Sequence, residues 1–163
     1  MLSNSIKVVI FDWGDTLMRD FPYDGPMVDW PRVEAIPGAK QTLKCLYKRF
    51  VCAVASNAGF SDGELMAQAL DRVGMRRFFR HFFTSKELGR EKPDPEFFRE
   101  ILRRMEMLPQ ECIMVGNSYE KDVVPAKAVG IRTVWLSEDG VKGDHPCADV
   151  IIRSMCELEA ALP

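Results

Sequence analysis

Runs of consecutive apolar residues recur along the chain and predict the strands of a sheet. These runs do not alternate between apolar and polar positions, and several are rich in β-branched residues. This pattern is typical of parallel strands that are buried on both faces. The candidate strands are Ile6–Asp12, Val51–Ser56, His81–Thr84, Cys112–Val115, Arg132–Leu136 and Asp149–Ile152.

Helical periodicity occupies the segments between these strands. Leu43, Leu46, Tyr47 and Phe50 recur at the spacing i, i+3, i+4 and i+7, which lines one face of a helix. Further helices are predicted at Asp62–Val73, after Asp94-Pro95-Glu96, before Gly130 and after Ser154. Strands and helices therefore alternate along the chain. That order predicts an α/β fold, a doubly wound parallel sheet of Rossmann-like form with helices on both faces.

The length of the chain sets the expected domain organisation. A chain of 163 residues is expected to form a single domain over 1–163. The segment at about 18–37 is rich in proline, glycine and aspartate and lacks a helical period. We therefore expect a small flap there and no sizeable cap domain.

Composition excludes several kinds of partner. Lys and Arg number 22 against 24 Asp and Glu, and a net charge of −2 gives no general attraction to nucleic acid. No apolar run approaches the roughly 18 residues of a membrane span. The first residues also lack the form of a signal peptide, so a cytoplasmic protein without a membrane partner is expected. Nothing in the composition predicts an oligomeric state.

Polar residues stand directly after three of the candidate strands. The segment Asp12–Thr16 follows the first strand, the pair Ser56-Asn57 follows the second, and the segment Gly116–Asp122 follows the fourth. Lys92 stands just before the helix that opens at Asp94. Ligands of doubly wound sheets bind at the carboxyl ends of the strands, so these groups are expected to converge on one site.

These four motifs, in this order, resemble the signature of the haloacid dehalogenase-like hydrolase superfamily. The signature consists of Asp-x-Asp-x-Thr at a strand end, a Ser or Thr at a second strand end, a Lys, and a Gly-Asp loop that ends in Asp. Here they match Asp12–Thr16, Ser56, Lys92 and Gly116–Asp122, and the resemblance extends from about residue 6 to 136. Each motif alone is weak, whereas four in order are specific.

The resemblance implies phosphoryl transfer to a carboxylate followed by hydrolysis of the aspartyl phosphate. Asp12 is then the nucleophile, and Lys92 supplies a cation between two anions. Ser56 donates its hydroxyl to a phosphate oxygen, and backbone N–H groups near Asn57 and Trp13 add further donors. The phosphorylated substrate is the expected partner.

The resemblance also implies a magnesium site. Its ligands would be an Asp12 oxygen, the backbone carbonyl of Gly14 and Asp122, with water completing the shell. Asn117 stands where the family often has a further acid, and its amide oxygen can bind the ion or orient a bound water. The loss of one negative charge is expected to weaken metal binding.

Gly14 is the main departure from the family pattern, because phosphatases of the superfamily carry their general acid and base at that position. Such proton transfer contributes about 10²–10⁴-fold in rate. We therefore expect a preference for substrates with good leaving groups. Asp15, the next residue, is a candidate replacement, although adjacent side chains point in different directions.

Several alternatives stay open at this point. Asp12 alone also fits a turn, Lys92 a solvated surface charge, and Asp122 a helix N-cap. Without a cap the site should be open, and it then either admits bulky or macromolecular phosphates or is covered by another subunit. The rival functions are a catalytically weak or inactive module that binds phosphate-bearing partners and, less favoured, a dehalogenase, which depends on cap residues for which this chain has no room.

Overall fold

The computed structural model describes residues 5–163, and one sheet of six parallel strands forms its centre. The strands are β1 (Val8–Phe11), β2 (Val51–Ser56), β3 (His81–Thr84), β4 (Cys112–Gly116), β5 (Arg132–Leu136) and β6 (Val150–Ile152). Their order across the sheet is β3-β2-β1-β4-β5-β6. The chain thus leaves β1 toward one edge and returns to β4 on its other side. Such a reversal opens a crevice at the carboxyl ends of β1 and β4.

Helices cover both faces of the sheet, which confirms the predicted doubly wound α/β fold. They are α1 (Ala39–Leu46), α2 (Gly63–Arg72), α3 (Ser85–Leu88), α4 (Pro95–Met105), α5 (Val124–Ala128) and α6 (Leu158–Ala161). Helices α1, α2 and α6 contribute to one hydrophobic core, and α3, α4 and α5 contribute to the other. None of the helices among residues 5–163 is long and apolar enough to cross a membrane.

The central strand β1 shows why the strands appear in the sequence as unbroken apolar runs. Val9 and Phe11 enter the first core, whereas Val8 and Ile10 enter the second. All four side chains are almost fully buried. Burying an apolar side chain of this kind contributes about 1.5–3 kcal/mol, so a polar residue on either face of β1 would be costly.

The ends of several elements differ from the expectation. Strand β1 is shorter than the predicted Ile6–Asp12. Helix α1 ends at Leu46, so the expectation that Tyr47 continues its buried face was wrong. Tyr47 caps the helix and is exposed, with its ring 5.0 Å from that of Phe78.

The helix predicted before Gly130 also differs, because it begins as a π-helical turn at Tyr119–Val123. Helix α4 opens at Asp94 as predicted, and the side chain of Asp94 accepts a hydrogen bond from the first turn of α4. The side chain of Asp62 accepts a hydrogen bond from the first turn of α2.

The segment between β1 and α1 forms a folded flap beside the crevice. Met18 and Ala35 form an antiparallel bridge at its base, and a short 3₁₀ helix covers Met27–Asp29. Arg72 of α2 donates to the backbone carbonyl of Trp30 at 2.7 Å, which ties the flap to the body. Within the described part of the chain no larger insertion covers the crevice, in agreement with the expected absence of a sizeable cap.

Candidate active site

A buried ammonium group joins two carboxylates at the carboxyl ends of β1 and β4. The Lys92 Nζ lies 2.8 Å from Asp12 Oδ1 and 2.6 Å from Asp122 Oδ1. It also donates to the backbone carbonyl of Ala55 at 3.2 Å. Asp12, Lys92 and Asp122 are 7%, 4% and 1% exposed, so all three charges are largely removed from water. Lys92 is therefore not a solvated surface charge.

The charges perturb one another strongly. Burial alone would lower the pKa of Lys92, but Asp12 and Asp122 outweigh that effect and raise its pKa above the usual value. Burial and the charge of Asp12 raise the pKa of Asp122 to about 6, against the opposing effect of Lys92. Two carboxylates and one ammonium leave a net charge of −1 when all are ionised. The site can therefore accept a further cation.

Asn57 holds Lys92 in place from the end of β2. Its side-chain Nδ2 donates to the backbone carbonyl of Lys92 at 2.9 Å, and its Oδ1 accepts from the Lys92 backbone N–H at 2.8 Å. The backbone carbonyl of Asn57 in turn accepts a short hydrogen bond from the Ser85 hydroxyl. The residue predicted to contact phosphate thus also fixes the loop that carries the lysine.

Gly116 and Ser118 shape the loop that presents Asp122. A Cβ at Gly116 would lie 2.4 Å from both the Cβ and the Oδ2 of Asp122, so only glycine admits this carboxylate. Asp122 Oδ2 accepts a hydrogen bond from the Ser118 backbone N–H at 3.0 Å. The Ser118 side chain caps the turn by accepting from the Lys121 N–H. The N-cap is therefore Ser118 and not Asp122.

Hydrogen-bond donors without acceptors surround the Asp12 carboxylate. Ser56 Oγ accepts from the Ala58 N–H at 3.3 Å, so its own proton is free to be donated. No residue in the range 5–163 accepts a hydrogen bond from the backbone N–H of Trp13 or Asn57. Ser56, Trp13 and Asn57 all line the same cavity as Asp12. An anion bound there can receive three donors from these residues.

Oxygen atoms suited to a hard cation gather on the other side of Asp12. The Thr16 hydroxyl lies 3.3 Å from both Asp12 Oδ2 and Asn117 Oδ1, so the two oxygens share this hydroxyl as a neighbour. Within residues 5–163 no group of three His, Cys, Asp or Glu side chains forms a metal cluster. The oxygen ligands available to a metal ion are thus the carboxylates of Asp12 and Asp122, the Asn117 amide oxygen and backbone carbonyls.

The indole of Trp13 is largely committed to packing. It is buried, and its Nε1 donates to the sulfur of Met18 at 3.2 Å. Its backbone carbonyl also accepts from the N–H groups of Leu17 and Met18. Trp13 therefore anchors the start of the flap, and its backbone N–H is the group that is left to donate to a ligand.

An acid that the sequence did not indicate lies beside Gly14. A Cβ at Gly14 would be 3.3 Å from the Cβ of Asp20 and 3.5 Å from its Oδ2. Asp15 Oδ1 accepts a hydrogen bond from the Asp20 backbone N–H at 3.1 Å. Partial burial, with the charges of Asp15 and Asp12, raises the pKa of Asp20. No local motif marks Asp20, because the chain turns back between Asp15 and Asp20.

These groups line a cavity of about 400 Å³ that is open to solvent. Its polar floor holds every sequence-predicted site residue, and its wall includes apolar side chains of the flap and of the loop after β2. The predicted residues at the cavity are Asp12, Trp13, Gly14, Ser56, Asn57, Lys92, Asn117 and Asp122. The wall residues Met27, Trp30 and Phe60 and the acid Asp20 are among the site residues that sequence reasoning missed.

The sequence of this chain is similar to part of two curated phosphatases. It is 38% identical over 102 residues to glyceraldehyde 3-phosphate phosphatase of Methanocaldococcus jannaschii, with 60% of this chain and 45% of the relative covered. It is 34% identical over 122 residues to phosphoserine phosphatase of Thermus thermophilus, with 75% and 48% covered. The chain thus spans about half the length of these curated relatives.

Solved structures share the fold of this chain, and a family model identifies its family. An uncharacterized protein of Listeria monocytogenes serotype 4b superimposes with a TM-score of 0.82 at 27% identity, with 96% of each chain covered. A HAD phosphatase of Thermococcus onnurineus shares the fold with a TM-score of 0.78 at 19% identity, with 96% of this chain and 97% of that chain covered. The family model described as haloacid dehalogenase-like hydrolase matches residues 11–136. The resemblance in the four motifs is thereby confirmed, and the chain belongs to the haloacid dehalogenase-like hydrolase family.

Proposed function

We propose that this protein is a magnesium-dependent phosphohydrolase that works through an aspartyl phosphate on Asp12. The observation that carries the proposal is the buried contact of one ammonium group, Lys92, with two carboxylates at the end of β1 and β4. The relatives named glyceraldehyde 3-phosphate phosphatase, phosphoserine phosphatase and ribulose-1,5-bisphosphate 5-phosphatase support the reaction class.

In this proposal the nucleophile is an Asp12 carboxylate oxygen. It attacks phosphorus, the bond to the leaving oxygen breaks, and an acyl phosphate forms. Lys92 at 2.8 Å offsets the repulsion between the carboxylate and the phosphate dianion. The Ser56 hydroxyl and the N–H groups of Trp13 and Asn57 donate to the equatorial oxygens, where charge accumulates. Water then cleaves the acyl phosphate and regenerates the carboxylate.

The donor set fits magnesium. Asp12 and Asp122 offer carboxylate oxygens, Asn117 an amide oxygen and Gly14 a backbone carbonyl, and all four line the cavity. Magnesium prefers such hard oxygen ligands and keeps several waters, which an open cavity can supply. When bound, the ion would neutralise charge on the phosphate and complement the −1 net charge of the three buried groups.

The cavity has no cap over it in the described part of the chain, and we infer that the site can admit bulky phosphorylated molecules as well as small ones, unless another subunit covers it. The expected preference for good leaving groups assumes that no acid donates a proton to the leaving oxygen, and it stays a prediction. The single-domain organisation over 1–163 and the cytoplasmic location also stay predictions.

A turnover assay on a panel of phosphate esters tests this function. We expect magnesium-dependent release of inorganic phosphate, and no release with excess chelator. The second candidate is a module that binds phosphate-bearing partners without turning them over, which the amide at Asn117 and the glycine at Gly14 favour. Binding of a phosphate ester in magnesium without release of inorganic phosphate would support that module. Halide release from a haloacid without phosphatase activity would indicate a dehalogenase.

Magnesium should also stabilise the fold, because it binds only the folded site. At 100 times its Kd an ion adds about 2.7 kcal/mol, which raises the Tm of a chain of this size by about 5–10 °C. Asp122→Ala should remove this shift. Glu120→Ala, a change to an exposed acid on the same loop, should retain it. An equal magnesium shift in Asp122→Ala and the unchanged protein, measured by calorimetry, would contradict the metal assignment.

A further inference from the structure

Four carboxylates line the cavity, and three of them already have a partner. Asp12 and Asp122 pair with Lys92. Asp15 uses its Oδ1 to accept the backbone N–H of Asp20. Within residues 5–163, the carboxylate of Asp20 pairs with no cation and accepts no hydrogen bond. Among the four cavity carboxylates, Asp20 is therefore the one without a protein partner in the described residues.

The carboxyl of Asp20 lies beside Gly14, which follows the nucleophile Asp12 by two residues. Gly14 is two residues after Asp12, and its missing side chain leaves a space beside the cavity floor. The carboxyl of Asp20 borders this space, with Cγ and Oδ2 both 3.5 Å from the position of an added Cβ. A carboxyl that enters from the flap thus reaches the region that a side chain at position 14 would occupy.

Contacts of the Asp20 backbone and of the preceding residue, Arg19, hold this part of the flap. Arg19 pairs with Glu138 at 2.9 Å, and the Arg19 backbone N–H donates to the carbonyl of Glu34 at 2.8 Å. Asp15 holds the backbone of Asp20 itself at 3.1 Å. A backbone held in this way limits the positions that the Asp20 carboxyl can take, which favours proton transfer to a defined atom.

We propose that Asp20 is a further catalytic residue, the general acid and base of the reaction, an inference that rests on the proposed phosphohydrolase function. In the first step Asp12 forms its bond to phosphorus while the bond to the leaving oxygen breaks. The electron pair stays on that oxygen, and the Asp20 carboxyl gives it a proton, so a neutral alcohol leaves. In the second step the Asp20 carboxylate takes a proton from water. The water oxygen attacks phosphorus, and the electron pair of the Asp12–phosphorus bond returns to Asp12.

This assignment changes the expected substrate range. With Asp20 as proton donor, alkyl phosphates lose a neutral alcohol and not an alkoxide, so they are turned over alongside aryl phosphates. The preference for good leaving groups, expected from Gly14 alone, should then belong to the protein that lacks Asp20. Leaving-group dependence is therefore the direct measure of the role of Asp20.

The test compares Asp20→Asn with the unchanged protein on glycerol phosphate and nitrophenyl phosphate in magnesium. The kcat/KM reports the step in which the leaving group departs. It should fall about 10²–10⁴-fold on glycerol phosphate, and by much less on nitrophenyl phosphate, whose leaving group needs no proton. Nitrophenol release by Asp20→Asn should show a burst of one equivalent and then a slow phase, because no base activates water in the second step.

Two further variants complete the design. Asp24→Asn makes the same charge change at an exposed flap residue outside the cavity and should retain both activities. Asp20→Ala should lose glycerol phosphate turnover. Adding Gly14→Asp to this variant should raise the turnover of glycerol phosphate at least tenfold above that of Asp20→Ala. The three atoms nearest to a Cβ at position 14 all belong to Asp20, and two of them are absent in Asp20→Ala, while Gly14 has no positive φ that would strain the substitution.

Three outcomes overturn the inference. Asp20→Asn with unchanged kcat/KM on glycerol phosphate would remove Asp20 from the reaction and leave the proposed function intact. Equal loss of kcat/KM on both substrates would show that Asp20 supports the flap and transfers no proton. An unchanged protein that hydrolyses nitrophenyl phosphate with a burst and ignores glycerol phosphate would show that no acid acts. Failure of the function itself is distinct, since the unchanged protein would then release phosphate from no ester of the panel.

Discussion

Asp12→Asn should remove phosphate release while the fold survives. An amide is nearly isosteric with the carboxylate but does not attack phosphorus, and removing a covalent nucleophile costs on the order of 10⁶-fold in kcat. The Asn oxygen can still accept a hydrogen bond from Lys92, which keeps its second partner Asp122 at 2.6 Å. The measurement is phosphate release under steady-state conditions, with the Tm followed in parallel.

A second readout separates loss of the nucleophile from a general loss of the site. Acid quenching during turnover should trap a phosphoryl group on the peptide that contains Asp12, and the variant should trap none. Phosphate should still bind to the variant, because Ser56 and the N–H groups of Trp13 and Asn57 are unchanged. Turnover by a pure Asp12→Asn preparation within tenfold of the normal rate would identify another residue as the nucleophile.

The sheet is the part of the molecule that local sequence predicts best. Val8 and Ile10 face one core and Val9 and Phe11 the other, so every position of β1 must be apolar and the strand is visible in the sequence. Segment ends are less visible, because they depend on contacts from elsewhere. Helix α1 ends before Tyr47, although the spacing of apolar residues continues through Phe50.

The site divides in the same way. Asp12, Ser56 and Asp122 follow strands directly, and the order of parallel strands brings them to one edge. Asp20 reaches the cavity through the turn of the flap, with Asp15 at a positive φ of 57° before it. No spacing rule describes that path, so only three-dimensional contacts could reveal an acid beside Gly14.

Lys92→Met should be the most destabilising change in the site. Lys92 donates to Asp12, Asp122 and the carbonyl of Ala55, and its removal leaves two buried carboxylates facing each other. Breaking a buried ion pair from one side costs about 3–5 kcal/mol, which is a large part of the 5–15 kcal/mol typical of domain stability. The Tm, measured with chelator present, should fall by about 6–20 °C. Lys86→Met, at an exposed lysine, should change it little.

The pH dependence of this loss distinguishes charge from packing. Without Lys92 the pKa of Asp122, already raised to about 6 by burial and Asp12, loses its main opposing influence and rises further. An unfolded aspartate ionises near pH ~3.9, so between that value and the folded pKa the folded variant binds more protons than the unfolded one. Its stability should therefore increase as pH falls from about 8 toward 5, and the deficit against the unchanged protein should shrink. If the loss of stability in Lys92→Met is the same at pH ~8 and pH ~5, the loss comes from packing of the lysine stem against its neighbours. In that case repulsion between the two carboxylates is not the reason that this site requires a cation.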